Sequence, residues 1–237
     1  MTNEHKGTEH PLSILANEAY GVFSELGFEI VTGPELESEW YNFDVLNVVK
    51  DHPARDMQDT FWIKEKTGSV LRTHATSVSA REIEKAGKEN RMPCAFITIG
   101  KVFRNEATDF SHEMQFFHVD GCMIGKIEDG ISIANLKGVL THFYKKMLGD
   151  DVEVEFRPSF FPFTEPSLEV FAKFKGKWLE MMGAGELHPN VIKNCGLDPA
   201  KYQGFAFGGG LDRIAMIKWG IPDVRLFYQG DLRLNQF

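Results

Sequence analysis

The spacing of hydrophobic residues changes along this chain, and that change constrains the fold more than any other feature. Near the N-terminus Leu12, Leu15, Ala16, Ala19, Val22, Phe23 and Leu26 recur at helical spacing, opened by His10-Pro11 and closed by Gly27. Further on, Val152, Val154 and Phe156 alternate with Glu153, Glu155 and Arg157, the period of a half-buried strand. The same criteria predict helices over residues 76–88, 133–147, 189–194 and 211–219, the second capped by Ser132. Strands are predicted over 28–31, 60–63, 69–71, 95–104, 116–124, 168–174 and 178–182, the last two a hairpin turning at Lys175-Gly176-Lys177. Residues 35–59 read as short helical pieces and a polar loop at 51–56. Short polar connections between strands favour a mostly antiparallel sheet flanked by helices, an α+β fold. One domain is expected over residues 10–237, after a disordered leader over residues 1–9.

Size and charge narrow the function classes. With 237 residues, 43% of them hydrophobic, the chain can bury a full core without a metal or disulfide staple. No apolar stretch is long enough to span a bilayer, and residues 1–10 lack the apolar core of a signal peptide. Cys94, Cys122 and Cys195 form no Cys-x-x-Cys pair, which favours a reduced, cytoplasmic setting and excludes a cysteine zinc site. A formal net charge of -8 argues against sequence-blind nucleic-acid binding, while leaving room for a local basic site.

Four constellations could carry chemistry. Phe103-Arg104-Asn105-Glu106 precedes a polar loop with His112, and Phe116 opens the returning strand. An arginine fork suits phosphate, a glutamate can accept from an exocyclic amine, and an aromatic ring can stack on a base. An Arg-x-Glu pair alone is more often a surface ion pair. Gly208-Gly209-Gly210-Leu211-Asp212-Arg213 brings glycines to the start of a helix that carries an arginine, an arrangement suited to an anion. Its bland alternative is a glycine turn beside a surface arginine, and neither Walker nor Rossmann spacing is present.

The third constellation is Phe160-Phe161-Pro162-Phe163-Thr164-Glu165-Pro166-Ser167. Its two prolines argue against a central strand, so Phe161 and Phe163 are expected on a stiff segment that could hold an aromatic ligand or simply belong to the core. The fourth is a pair of carboxylates, Glu169 and Glu180, on opposite arms of the hairpin. They could share a face and hold Mg²⁺ against phosphates, or be scattered surface glutamates. No nucleophile elbow is present.

Taken together, these pieces resemble the class II aminoacyl-tRNA synthetases. The first helix and the strand that ends at Gly33-Pro34 resemble motif 1, the Arg104 to Phe116 segment motif 2, and the Gly208 to Arg213 segment motif 3. Arg72-Thr73-His74, Gly100-Lys101-Val102-Phe103-Arg104, Phe161-Pro162-Phe163-Thr164-Glu165-Pro166-Ser167 and Gly204-Phe205-Ala206-Phe207-Gly208 are similar to the phenylalanyl-tRNA synthetase α-subunit family, as is His52-Pro53-Ala54-Arg55-Asp56. The likeness runs from His10 to the C-terminus.

The resemblance implies a class II catalytic fold that uses ATP and Mg²⁺ to make phenylalanyl-adenylate and charge tRNA. By the same resemblance Arg104 holds the α-phosphate and Arg213 the γ-phosphate. Phe116 stacks on adenine, Glu106 meets its amine, and His112 lies near the phosphates or adenine. Gly208 and Gly210 approach the nucleotide, and Glu169 and Glu180 hold Mg²⁺. His74, Thr76, His118, Asp120, Phe161, Phe163 and Ala206 form the amino-acid site. A homodimer through the motif 1 helix and strand, and a β subunit of a heterotetramer, are the implied partners.

Two departures stand out. The family usually reads Phe-His-Gln-x-Glu-Gly where this chain has Phe116-Phe117-His118-Val119-Asp120-Gly121, so His118 and Asp120 replace the two residues that bind the substrate ammonium. A neutral His118 could accept a hydrogen bond, whereas a cationic one would repel the ammonium. The likeness also covers neither a tRNA-gripping coiled coil nor an anticodon-binding module. Two alternatives stay open: an enzyme that adenylates another amino acid or serves another acceptor, and a regulatory ATP-binding module.

Overall fold

A computed structural model describes residues 7–55 and 60–236. Residues 1–6 of the expected leader lie outside them, as do Asp56 of the polar loop and the three residues after it; residues 7–9 carry no regular secondary structure. Helix α1 (Pro11–Glu25) starts where the sequence places it. Proline at its first position lacks an N–H that would be orphaned there anyway, and His10 Nδ1 accepts from the Leu12 N–H at 3.2 Å. Gly27 leaves the helix at φ +82°, a conformation that disfavours side chains with a Cβ.

Nine strands occur among the described residues: β1 (Glu29–Ile30), β2 (Leu36–Ser38), β3 (Ser69–Leu71), β4 (Cys94–Phe103), β5 (Gln115–Lys126), β6 (Glu153–Phe161), β7 (Thr164–Phe174), β8 (Lys177–Leu187) and β9 (Tyr202–Gly210). Four more α-helices lie among the described residues: α2 (Thr76–Lys88), α3 (Ile133–Leu148), α4 (Pro189–Asn194) and α5 (Leu211–Trp219). The main sheet runs β1-β4-β5-β9-β8-β7-β6, and every pairing is antiparallel except β1 with β4. β2 and β3 form a separate ribbon.

Alternation along the strands gives the sheet two unlike faces. Ile97, Val119, Phe205 and Phe207 point to a core shared with α1, α3 and α5, where Phe23, Phe143 and Tyr144 are fully buried. The opposite face carries Phe96, Cys122, Ile124 and Ala206, in a second core with Ile83 of α2 and Val191 and Ile192 of α4. That second cover leaves part of the sheet open, and the candidate site lies there.

Several expectations need correction. The strand over 60–63 reduces to a single bridge from Trp62 to Val70, and the strand over 28–31 keeps only its two central residues. The short helical pieces after Glu35 are a five-residue π-helical turn at Trp40–Asp44 and a 3-10 turn at Pro53–Arg55. The prolines of the Phe160–Ser167 run argue against a central strand, yet the run forms the turn of the β6–β7 hairpin and adjoining parts of both strands, and β7 lies inside the sheet. Pro162 falls between the strands, and Pro166 sits where the β7–β8 register skips between Thr164 and Ser167, so its missing N–H interrupts no regular ladder. Gly208-Gly209-Gly210 is the end of β9 and not a turn, and none of the three has positive φ.

Candidate active site

The open face holds two adjoining cavities, of about 370 and 470 Å³. Arg104, His112, Phe116, Gly210 and Arg213 line both and mark where they meet. Glu106 lines only the smaller cavity. His74, Thr76, His118, Asp120, Phe161, Phe163, Glu180, Ala206 and Gly208 line only the larger. Of the residues that the sequence singled out, only Glu169 lines neither, and it accepts instead from Ser159 Oγ at 2.8 Å.

Strand register explains this convergence. Asp120 on β5 faces Gly208 on β9, which faces Gly183 on β8, which faces Glu169 on β7. All four therefore sit on one face of the sheet. Two glycines in this row make the hollow. A Cβ on Gly208 would stand 2.7 Å from His118 Cε1 and 2.8 Å from Asp120 Oδ2, and one on Gly183 would meet the Phe161 ring at 2.9 Å. Gly208 thus serves the end occupied by His118 and Asp120, not the Arg213 end. A Cβ on Gly210 would lie 4.0 Å from both Phe116 Cδ2 and Arg213 Cβ, so its absence leaves a slot between an aromatic wall and a cation.

Each end has its own chemistry. In the smaller cavity the Arg104 guanidinium lies 5.1 Å from the Phe116 ring centroid, 3.8 Å from Glu106, and donates to the Thr73 carbonyl at 3.2 Å. The Arg213 side chain, in the first turn of α5, makes no hydrogen bond or ion pair among the described residues, and a cation so placed suits an anion at the helix start. His112 Nδ1 contacts Asp109 at 3.0 Å, and backbone and side-chain hydrogen bonds from Ser111 and His112 hold the Asp109 carboxyl below its usual range.

The larger cavity is apolar at one end and polar at the other. Phe161 and Phe163 stack with centroids 5.9 Å apart and planes 11° from parallel, near Ala206. At the polar end Thr76 Oγ1 and Ser79 Oγ each donate to Asp120 at 2.7 Å, so the Thr76 hydroxyl expected to contact the amino acid is engaged with Asp120. Burial raises the Asp120 carboxyl to about 7 against these hydrogen bonds and the charge of Arg72. Burial, then the charge of Arg104, lowers His74 to about 4 and holds His118 well below the usual histidine range. Both imidazoles are neutral at pH 7, so the repulsion foreseen for a cationic His118 does not arise. The Nδ1 atoms of His74 and His118 are buried without a hydrogen-bond partner, two unmet polar groups in the wall of a cavity.

Glu169 and Glu180 share a face, since Phe171, two residues after Glu169, pairs with Glu180. Glu180 is exposed and lines the cavity, the environment of a carboxylate that meets a hydrated Mg²⁺ together with phosphates. No cluster of three acidic, histidine or cysteine side chains with metal-holding geometry occurs among the described residues, so a protein-only cage is absent there.

Sequence reasoning missed several residues. Ser79 and Asp212 are buried hydrogen-bonding groups to which the sequence assigns no role, although Asp212 falls within the Gly208–Arg213 segment. Phe110, Leu179, Met216, Ile217 and Val224 supply the apolar wall of the smaller cavity. Met216 and Ile217 stand three and four positions after Arg213, a helical spacing that could have placed them beside it.

Comparison with known proteins agrees with this architecture. The family described as "tRNA synthetases class II core domain (F)" matches residues 1–237. The phenylalanine–tRNA ligase α subunit of Bacillus mycoides is 47% identical over 98% of this chain and 69% of its own length. The α subunit of the same name from Macrococcus caseolyticus is 47% identical over 98% and 67%, and that of Bacillus cytotoxicus 46% over 98% and 69%. With its motifs gathered on one face of a mostly antiparallel sheet, the chain belongs to the class II tRNA synthetase core-domain family, among the phenylalanine–tRNA ligase α subunits.

Proposed function

We propose that this chain activates phenylalanine with ATP and transfers it to the 3′ end of phenylalanine tRNA, acting as an α subunit beside a β subunit. The observation that carries this is the pair of cavities meeting at Arg104: one has an aromatic wall and a cation for a nucleotide, the other a stacked phenylalanine pair and a buried carboxylate for an aromatic amino acid.

In the activation step a carboxylate oxygen of phenylalanine attacks the α-phosphorus of ATP. The bond from that phosphorus to the bridging oxygen breaks, and pyrophosphate leaves with the electron pair. Arg104, at the junction, stabilises the charge that builds on the α-phosphate, and Arg213 holds the γ-phosphate. Phe116 stacks on adenine with Glu106 near its amine, and His112 lies near the phosphates. Asp120 receives the ammonium group, with His118 and His74 as neutral acceptors, while Phe161, Phe163 and Ala206 enclose the ring. A ribose hydroxyl of the tRNA then attacks the adenylate carbonyl, and AMP leaves. No protein nucleophile is required, because positioning and preorganised charge supply the rate. Glu180, which lines the larger cavity, would hold Mg²⁺, which screens phosphate charge when bound.

The reading includes a cytoplasmic setting and a homodimer through α1 and β1. The latter draws support from β1 being an edge strand whose Ile30 is 48% exposed. No helix among the described residues is long and apolar enough to cross a membrane. Replacement of the usual Gln and Glu by His118 and Asp120 favours a second reading, an enzyme for another amino acid. ATP–pyrophosphate exchange with each of the twenty amino acids separates the two. Exchange with phenylalanine alone supports the first, and exchange with a different amino acid supports the second.

A further inference from the structure

Strand β9 stops at Gly210, opposite His118, so Phe117 on β5 has no β9 partner. The Phe117 N–H instead donates to Asp212 Oδ2 at 2.7 Å, a carboxylate from the first turn of α5 that continues the ladder past the end of the strand. Tyr228 donates its hydroxyl to the other oxygen, Oδ1. Asp212 is 3% exposed, and an acidic side chain in a first turn is favourable to the helix dipole. Burial still raises its carboxyl to about 6, against the hydrogen bonds that favour the charge.

The position of this tie matters. Phe116 directly precedes the bonded Phe117, and Arg213 directly follows Asp212. The hydrogen bond therefore joins the backbones that carry the two walls of the slot over Gly210. Tyr228 extends the tie to the C-terminal segment, whose Val224 N–H donates to the Phe110 carbonyl at 3.0 Å, and Val224 and Phe110 line the same cavity.

We infer that Asp212, supported by Tyr228, is a positioning residue that sets the separation of Phe116 and Arg213 and so the fit of the nucleotide between them. The inference rests on the smaller cavity being the ATP site. The test is calorimetric titration of this chain with ATP and, separately, with phenylalanine, for wild type, Asp212→Ala, Asp212→Asn and Tyr228→Phe. Asparagine can keep both contacts by accepting from Phe117 and donating to the Tyr228 oxygen. Asp212→Ala should weaken ATP about tenfold or more, the scale of one lost charge-assisted hydrogen bond, with phenylalanine affinity unchanged. Asp212→Asn should recover to within about threefold of wild type, and Tyr228→Phe should lose about threefold.

Unchanged ATP affinity in Asp212→Ala, equal losses for both ligands, or failure of asparagine to rescue would each overturn the inference. Should Asp212→Ala not fold, Tyr228→Phe decides by the same selective loss of ATP affinity. Wild type that binds ATP but catalyses no pyrophosphate exchange would refute the proposed function while leaving the ATP titrations to judge Asp212. Wild type that binds no ATP would overturn both.

Discussion

Replacing Asp120 by asparagine should stabilise the folded chain at alkaline pH while disabling it. The Asp120 carboxyl is 1% exposed and is raised to about 7 from an ordinary value of 3.8. A folded-state value above the unfolded one means that the native state holds the proton more tightly. The group's stability contribution is fully present below about 3.8 and is lost as pH rises through about 7. At about 1.4 kcal/mol per tenfold change in proton affinity, ionising Asp120 in place costs on the order of 4 kcal/mol by pH 8.5, of which about 3 kcal/mol accrues above pH 5.

Asparagine does not titrate, and the hydroxyls of Thr76 and Ser79 can rotate to meet it. In urea denaturation the variant should gain about 3 kcal/mol on wild type between pH 5 and pH 8.5. Asp212 is raised in the same direction, but it is common to both proteins and cancels in the difference. Phenylalanine-dependent exchange by the variant should fall about 10- to 100-fold, the scale of one charged hydrogen bond. For wild type the phenylalanine KM should rise as pH falls below about 7, because protonated Asp120 cannot pair with an ammonium; His118, already neutral, adds nothing. A stability difference independent of pH, or one that shrinks towards pH 8.5, would refute the reasoning.

Other perturbations test other walls. Ala206→Gly should raise exchange with para-chlorophenylalanine about tenfold or more relative to phenylalanine, since one methyl of pocket space is worth that much discrimination; an unchanged ratio removes Ala206 from the ring pocket. Gly208→Ala pushes a methyl to 2.7 Å from His118 and 2.8 Å from Asp120. It should cost about 1–3 kcal/mol of stability and raise the phenylalanine KM more than the ATP KM, read by thermal denaturation and exchange kinetics. Arg213→Ala should weaken ATP binding by about 10- to 100-fold in calorimetry with phenylalanine affinity intact, and an unaltered ATP affinity would contradict its phosphate role.

Much of the fold was legible because its determinants are local. The predicted helix over 76–88 matches α2, and that over 211–219 matches α5, since their signals lie within a few turns of sequence. The strand over 60–63 shrank to one bridge at Trp62, flanked by backbone hydrogen bonds of Phe61 and Ile63 to β3, because short apolar runs carry no information on partner length. The proline-rich segment failed because a bulge, invisible in one strand, removes the penalty of Pro166. Site residues carried by an ordered motif, such as Arg104, Phe116 and Arg213, came together around the cavities. Glu169 did not reach them, and Asp212 and Ser79 received no role, because a hydrogen bond from a helix side chain to a strand leaves no trace in spacing.

By itself the amino-acid sequence determined the α+β class, the main helices and which residue types could meet a phosphate, a base and an aromatic ligand. Those properties follow from periodicity and from side-chain chemistry, and both are fixed by covalent order. Only the tertiary structure decided the charge state of the site. His74 and His118 are neutral, and Asp120 and Asp212 are raised, because they sit out of water and, for the histidines, close to Arg104 and Arg72. Desolvation and Coulomb interaction depend on distances through space that the order of residues does not contain.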